Sequence, residues 1–268
     1  MQEIRVRFAE STDAEEIAAL FFGSFPPQVG QLLIYGAKGA PGFIRAQVGA
    51  GPSHAASAYF VAEIGGAKAG AAEFRRQPNA LLLNYIAVVP ACRGRGVGAT
   101  LLLCALKALG ATSGRIELDV LEDNTRAMGW YRRLGFEAGA ASDLLELRPP
   151  GGAPDDAAYV EELPQADVCQ GRFGFSEFRL IVRGGVFRAG RIGHEWFRLT
   201  DPAAVASPSV FAALERLDPR RRIFAVVPGG SVAEAQVVRL LAKTRRMKAE
   251  IASLLSSLSH DCQKSRIV

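Results

Sequence analysis

Val88-Val89-Pro90-Ala91-Cys92-Arg93-Gly94-Arg95-Gly96-Val97-Gly98-Ala99-Thr100-Leu101-Leu102 reads as the end of an apolar strand that feeds a glycine-rich turn opening directly into a helix. The strand is expected over residues 80–89 and the helix over residues 99–109. The first-turn amides of a helix have no internal acceptors and stand at the positive end of its dipole. Glycines let the backbone close on an anion with no β-carbon in the way, so a pyrophosphate would sit well here. A phosphate-binding P-loop would need Gly-Lys-Ser/Thr, which is absent. A dinucleotide fingerprint would follow the first strand of a βαβ unit, not a meander.

The meander is legible upstream. Ile4 to Phe8 alternates like a half-buried strand, and Ser11-Thr12-Asp13 caps a helix whose apolar stripe is Ile17, Leu20 and Phe21. Residues 25–57 are rich in glycine and proline, which predicts a short helix or two held in loops. Residues 58–64, Gly65-Gly66 and residues 67–75 form a hairpin that leads to the third strand. Downstream come a strand over residues 115–120 and a helix over residues 125–134. The expected fold class is α+β, a mixed but largely antiparallel sheet flanked by helices, followed by a smaller second α/β domain.

Arg93-Gly94-Arg95-Gly96-Val97-Gly98 matches in full the Arg/Gln-x-x-Gly-x-Gly/Ala cofactor motif of the GNAT acetyltransferase superfamily, which the first half of the chain resembles over roughly residues 2–147. Asn124, Ala127, Tyr131, Gly135 and Phe136 fall at the spacing of that family's second motif. The resemblance implies acetyl-CoA as co-substrate. Backbone of the strand around Ala87, Val88 and Val89 would pair with the pantetheine arm. The segment Arg93, Gly94, Arg95, Gly96, Val97, Gly98, Ala99 and Thr100 would hold the pyrophosphate, with charge added by the two arginines. It further implies Tyr131 as general acid toward the departing thiolate, and Asn124 as helix cap or as a holder of water or pantetheine. A backbone N–H near a bulge expected around Ile86 to Val88 would stabilise the oxyanion. Many relatives carry a glutamate on the strand before the glycine turn, where this chain has Asn84 and Tyr85. Glu73, Glu117, Asp119 and Glu122 remain as alternatives for drawing the proton. The implied reaction is transfer of an acetyl group to a primary amine of a small molecule or peptide by direct attack on the thioester. The competing expectation is an acyl-CoA-binding regulatory module that has lost turnover.

Paired prolines and glycines in residues 148–156 divide the chain into a first domain at 1–148, a linker at 149–156 and a second domain at 157–268. Strands are expected over 177–182, 186–192, 195–199 and 222–227, with helices over 208–217 and 231–258. This order suggests a degenerate repeat of the first half, or else an unrelated α/β domain, and no second glycine motif accompanies it. Met247, Ile251, Leu254, Leu255 and Leu258 fall at helical spacing, a stripe that the first domain or a second copy in a homodimer would cover.

With 49% hydrophobic and 22% charged residues and no apolar run near bilayer length, the composition is that of a globular protein without membrane spans. Met1 to Arg7 lacks a signal-peptide core, so a cytoplasmic protein is expected. Cys92, Cys104, Cys169 and Cys262 form no C-x-x-C pair, and His54, His194 and His260 form no metal-binding pair. The net charge of +5 is small, and the basic runs at Arg220–Arg222 and Lys243–Lys248 lack interleaved aromatics, which argues against nucleic acid as a partner.

Overall fold

The computed structural model describes residues 3–154 and 158–264, with side chains to residue 259. His260 and Cys262 therefore lie outside the described side chains. Along the chain run β1 (Ile4–Phe8), α1 (Ala14–Phe22), α2 (Pro27–Gly30), α3 (Ala40–Ala50), β2 (Ser57–Ile64), β3 (Ala67–Arg76), β4 (Leu81–Val88), α4 (Val97–Ala108), β5 (Arg115–Leu121), α5 (Thr125–Arg133) and β6 (Glu137–Leu147). Then follow β7 (Ala158–Glu161), α6 (Leu163–Phe173), β8 (Phe175–Val182), β9 (Gly185–Ile192), β10 (Trp196–Leu199), α7 (Pro202–Val205), α8 (Pro208–Leu217), β11 (Arg222–Pro228), β12 (Val237–Glu250) and α9 (Ile251–Lys264). The expected class holds: the sheets are mixed and largely antiparallel, and helices flank them. No described helix is long and apolar enough to cross a membrane.

Two compact units are present, and neither is contiguous in sequence. The first comprises residues 1–25, 41–139 and 245–268, the second residues 26–40 and 140–244. These units cut across the division expected at 149–156. Residues 149–154 do lack regular structure, and Asp155 and Asp156 of that linker lie outside the described residues.

In the first unit β1 to β4 form an antiparallel meander, and β4 and β5 run parallel with α4 between them in sequence. The last residues of β12 lie beside β5. Phe60, Phe74, Leu83, Leu101, Leu102, Leu106 and Ile116 are buried together with Met247, Leu254 and Leu258 from the chain's end. Each such side chain contributes about 1.5–3 kcal/mol of burial free energy, so the C-terminal segment is part of this core. The apolar stripe of α9 is thus covered within the unit, against α4.

The second unit repeats the same topology. β7 to β10 form an antiparallel meander, and β10 and β11 run parallel with α8 between them. β6 pairs antiparallel with β11, from Ser142↔Pro228 to Leu147↔Ile223. Each half of the sequence therefore supplies the last strand to the unit built mainly from the other.

The helix expected over 231–258 is a correction. Val237–Glu250 is a strand, and the helix begins only at Ile251. Met247 and Ile251 stand four apart, which mimics a helical stripe, but Leu241, Met247 and Ala249 are buried at even spacing along a strand. Strands β6 and β7 and helix α6 went unread in the sequence.

Four arginines of the basic runs are engaged internally. Arg221 donates to the carbonyls of Gly193 and Trp196, and Arg222 stacks 4.0 Å over the Trp196 ring. Arg245 pairs with Glu122 at 2.5 Å, and Arg246 grips Asp119 through two bonds, 2.8 and 2.9 Å, and Glu117 at 2.9 Å.

Candidate active site

The site lies within the first unit, where β4 parts from β5. The two strands pair only at Leu81↔Ile116 and Leu82↔Glu117, so the β5-facing edge of β4 beyond Leu82 is left unpaired by that neighbour. Two residues further on, β4 bulges. Glu73 stands opposite Tyr85 and Phe74 opposite Leu83, which makes Asn84 the extra residue. The bulge expected around Ile86 to Val88 is therefore found earlier, and residues 86–88 pair regularly with β3. The displacement has a cause in the side chains. Glu73 is fully buried, and its carboxylate takes bonds from Ser57 Oγ (2.6 Å), Arg75 Nε (2.8 Å) and Asn84 Nδ2 (2.7 Å). A buried carboxylate needs such donors, and the bulge brings the third of them into reach. Tyr85, beside it, stacks on Phe21 at 5.2 Å and meets Phe25 edge-on at 5.7 Å.

From Asn84 to Val88 the strand advances about 13 Å at ~3.3 Å per residue. Pro90 then starts a tight turn through Cys92, and Arg93 folds back to donate from Nε to Val88 O at 3.1 Å. Gly94 and Gly96 have φ of 78° and 79°, the left-handed region that glycine enters without strain. Gly96 caps α4 and has no side chain with which to satisfy the helix start. The helical ladder begins at Thr100 N–H to Gly96 O, 2.9 Å, so the amides of Val97, Gly98 and Ala99 lie outside it. Arg93 and Arg95 are exposed beside them. These open donors, the dipole of a twelve-residue helix and two arginines fit a diphosphate. In the second unit the corresponding helix α8 starts with Pro208, and Ser207 Oγ caps Val210 N at 3.4 Å, so its start is closed by its own side chain.

Helix α5 covers the turn. A β-carbon at Gly98 would stand 3.3 Å from the Trp130 ring, so glycine there admits the indole. Asn124 accepts from Ala127 N at 3.1 Å, which makes it the cap of α5. Tyr131 is 7% exposed, 4.9 Å from the Trp130 ring and edge-on to Phe136 at 5.4 Å. Burial pushes its phenol above the ordinary value, so it stays protonated at neutral pH. Of the acids weighed from sequence, Glu117 and Asp119 are held by Arg246 and Glu122 by Arg245. The Glu73 network was not foreseen; the lack of a glutamate on the strand that carries Asn84 and Tyr85 was its one signal.

Residues 41–136 match the profile of the Acetyltransferase (GNAT) family. Solved structures extend the likeness of fold to nearly the whole chain. A GCN5-related N-acetyltransferase from Sphaerobacter thermophilus is 14% identical, covering 92% of this chain and 96% of its own, with a TM-score of 0.58. A tandem GNAT protein from the clavulanic acid biosynthesis pathway is 10% identical, covering 93% of this chain and 99% of its own, with a TM-score of 0.57. The fold is thus that of a tandem GNAT protein, which agrees with the repeated topology of the two units.

Proposed function

We propose that the first unit is an acetyl-CoA-dependent N-acetyltransferase that moves an acetyl group onto a primary amine. The observation that carries this reading is the uncapped start of α4 behind Gly94 and Gly96, at one end of a strand whose β5 side is open. Amides of residues 95–99, with Arg95 and Arg93, would hold the diphosphate, whereas the Thr100 amide is already spent on Gly96 O. The open edge of β4 at Ala87, Val88 and Val89 would receive the amide-bearing arm as a further strand does. Acetyl-CoA supplies an electrophilic thioester carbonyl and a thiolate leaving group.

In the transfer the amine nitrogen forms a bond to the carbonyl carbon, and the carbon–sulfur bond breaks. One proton leaves the nitrogen and one reaches the sulfur. Tyr131 would supply the second proton, because its buried phenol keeps its hydrogen at neutral pH and so has one to give as the carbon–sulfur bond breaks. Asn124 spends its oxygen on Ala127, which leaves its NH2 group to orient the cofactor arm or a water. Free-thiol release across a panel of primary amines tests the reading. Thiol formed only when acetyl-CoA and an amine are both present supports it. Acetyl-CoA that is bound but yields no thiol with any amine favours the second reading, a binding module without turnover, for which the lack of a glutamate on β4 speaks.

A further inference from the structure

The bulge network has a direction built into it. An ionised carboxylate only accepts, whereas a carboxamide has one accepting and one donating end. Glu73 is enclosed, and its Oε1 is taken by Ser57 and Arg75. Its Oε2 then demands a donor, and Asn84 answers with Nδ2 at 2.7 Å. The amide of Asn84 is thereby fixed, and its Oδ1 is the end left over. No donor among the described residues reaches that oxygen. Asn84 is half-buried and two residues past the last pair between β4 and β5, so the residue lies on the stretch of β4 from which β5 has parted.

We propose that Glu73 is a positioning residue that turns the Asn84 amide, so that Asn84 Oδ1 accepts a hydrogen bond from the N–H of the attacking amine. This rests on the acetyltransferase reading above. It assigns to a neutral oxygen the part of orienting the nucleophile, and to a buried carboxylate on the neighbouring strand the part of aiming that oxygen. Glu73 is matched by the charge of Arg75, so the pair orients an uncharged amine and offers no excess charge to hold an ammonium ion.

The logic can be inverted by mutation. In Glu73→Gln, Ser57 and Arg75 still require an acceptor, so the amide oxygen of the new side chain stays with them and its NH2 group faces Asn84. The Asn84 amide must then turn over and present a donor to the amine. Adding Asn84→Asp restores an accepting oxygen on both sides. The measurements are the acetyl-CoA Kd by calorimetry and kcat and KM toward n-butylamine, alaninamide and spermidine, on the full chain. Glu73→Gln should lower amine kcat/KM at least tenfold, mainly through KM, with acetyl-CoA Kd changed less than twofold. The double variant should recover most of that loss. Asn84→Leu should show the same loss; since it strips Glu73 Oε2 of its donor, a cooperative melting transition and an acetyl-CoA Kd within twofold of wild type are required of every variant as the guard against misfolding. Equal activity of Glu73→Gln and wild type, or no recovery in the double variant, overturns the proposal. Wild-type protein that binds acetyl-CoA but acetylates none of the three amines also overturns it and leaves the cofactor site standing. Wild-type protein that fails to bind acetyl-CoA overturns the acetyltransferase reading itself.

Discussion

Replacing Gly94 with alanine separates a strained turn from a ligand cradle. The residue has φ of 78°, and a β-carbon built there meets no atom within 4 Å. Gly110, at the other end of α4, is matched to it: φ is 65°, and its β-carbon is equally unobstructed. Holding alanine in the left-handed region costs roughly 1–2 kcal/mol, so both variants should lower the melting temperature by a few degrees, at about 2–4 °C per kcal/mol. Only Gly94 directly precedes the amides assigned to the diphosphate. Titration calorimetry with acetyl-CoA should show Gly94→Ala weakened at least tenfold, about 1.4 kcal/mol, and Gly110→Ala unchanged. Equal affinity in the two variants would refute the placing of the diphosphate at this turn.

Three further outcomes are expected. Tyr131→Phe removes a hydroxyl from a packed ring, so it should leave the melting temperature and acetyl-CoA affinity close to wild type while slowing thiol release; unchanged turnover across pH would remove the residue from the chemistry. Leu254→Ala, at a fully buried position on α9, should cost about 2–5 kcal/mol, measured by urea unfolding, because the chain's end belongs to the first unit's core; a loss under 0.5 kcal/mol would contradict that packing. Burial alone would raise the Asp13 carboxyl, but Arg7, the Glu10 amide and Lys68 together bring it down from 3.8 to about 2. Its contribution, roughly 2 kcal/mol, is present above pH 3.8 and is lost as pH falls toward 2, and Asp13→Asn should flatten the acid-unfolding curve in that window.

What the sequence disclosed follows from range. The strand, glycine turn and helix around Arg93–Gly98 were legible because each depends on neighbours within a few residues: glycines at positive φ, an apolar strand before and an apolar helix after. The parallel repeat in the second half was legible for the same reason, as an order of elements. The crossing of β6 and β12 between units was not, since no local pattern records which distant strand a strand will pair with. β12 itself was misread because Met247 satisfies a period of two toward Ala249 and a spacing of four toward Ile251. Within the site, the motif spacing singled out the glycine turn that opens α4 and a tyrosine on α5, Tyr131, which is buried against Trp130 and Phe136. The role of Glu73 was hidden, because an acid in a strand reads as a solvated charge until Ser57, Arg75 and Asn84, as many as 16 residues away, are brought around it.

The central claim is that one open helix start, and not two, binds acetyl-CoA. Calorimetric titration of the full chain with acetyl-CoA tests it most directly. The account predicts a single saturable site per chain, abolished by Gly96→Glu and accompanied by a rise in melting temperature. The absence of binding to well-folded protein would contradict it, as would two equivalent sites per chain.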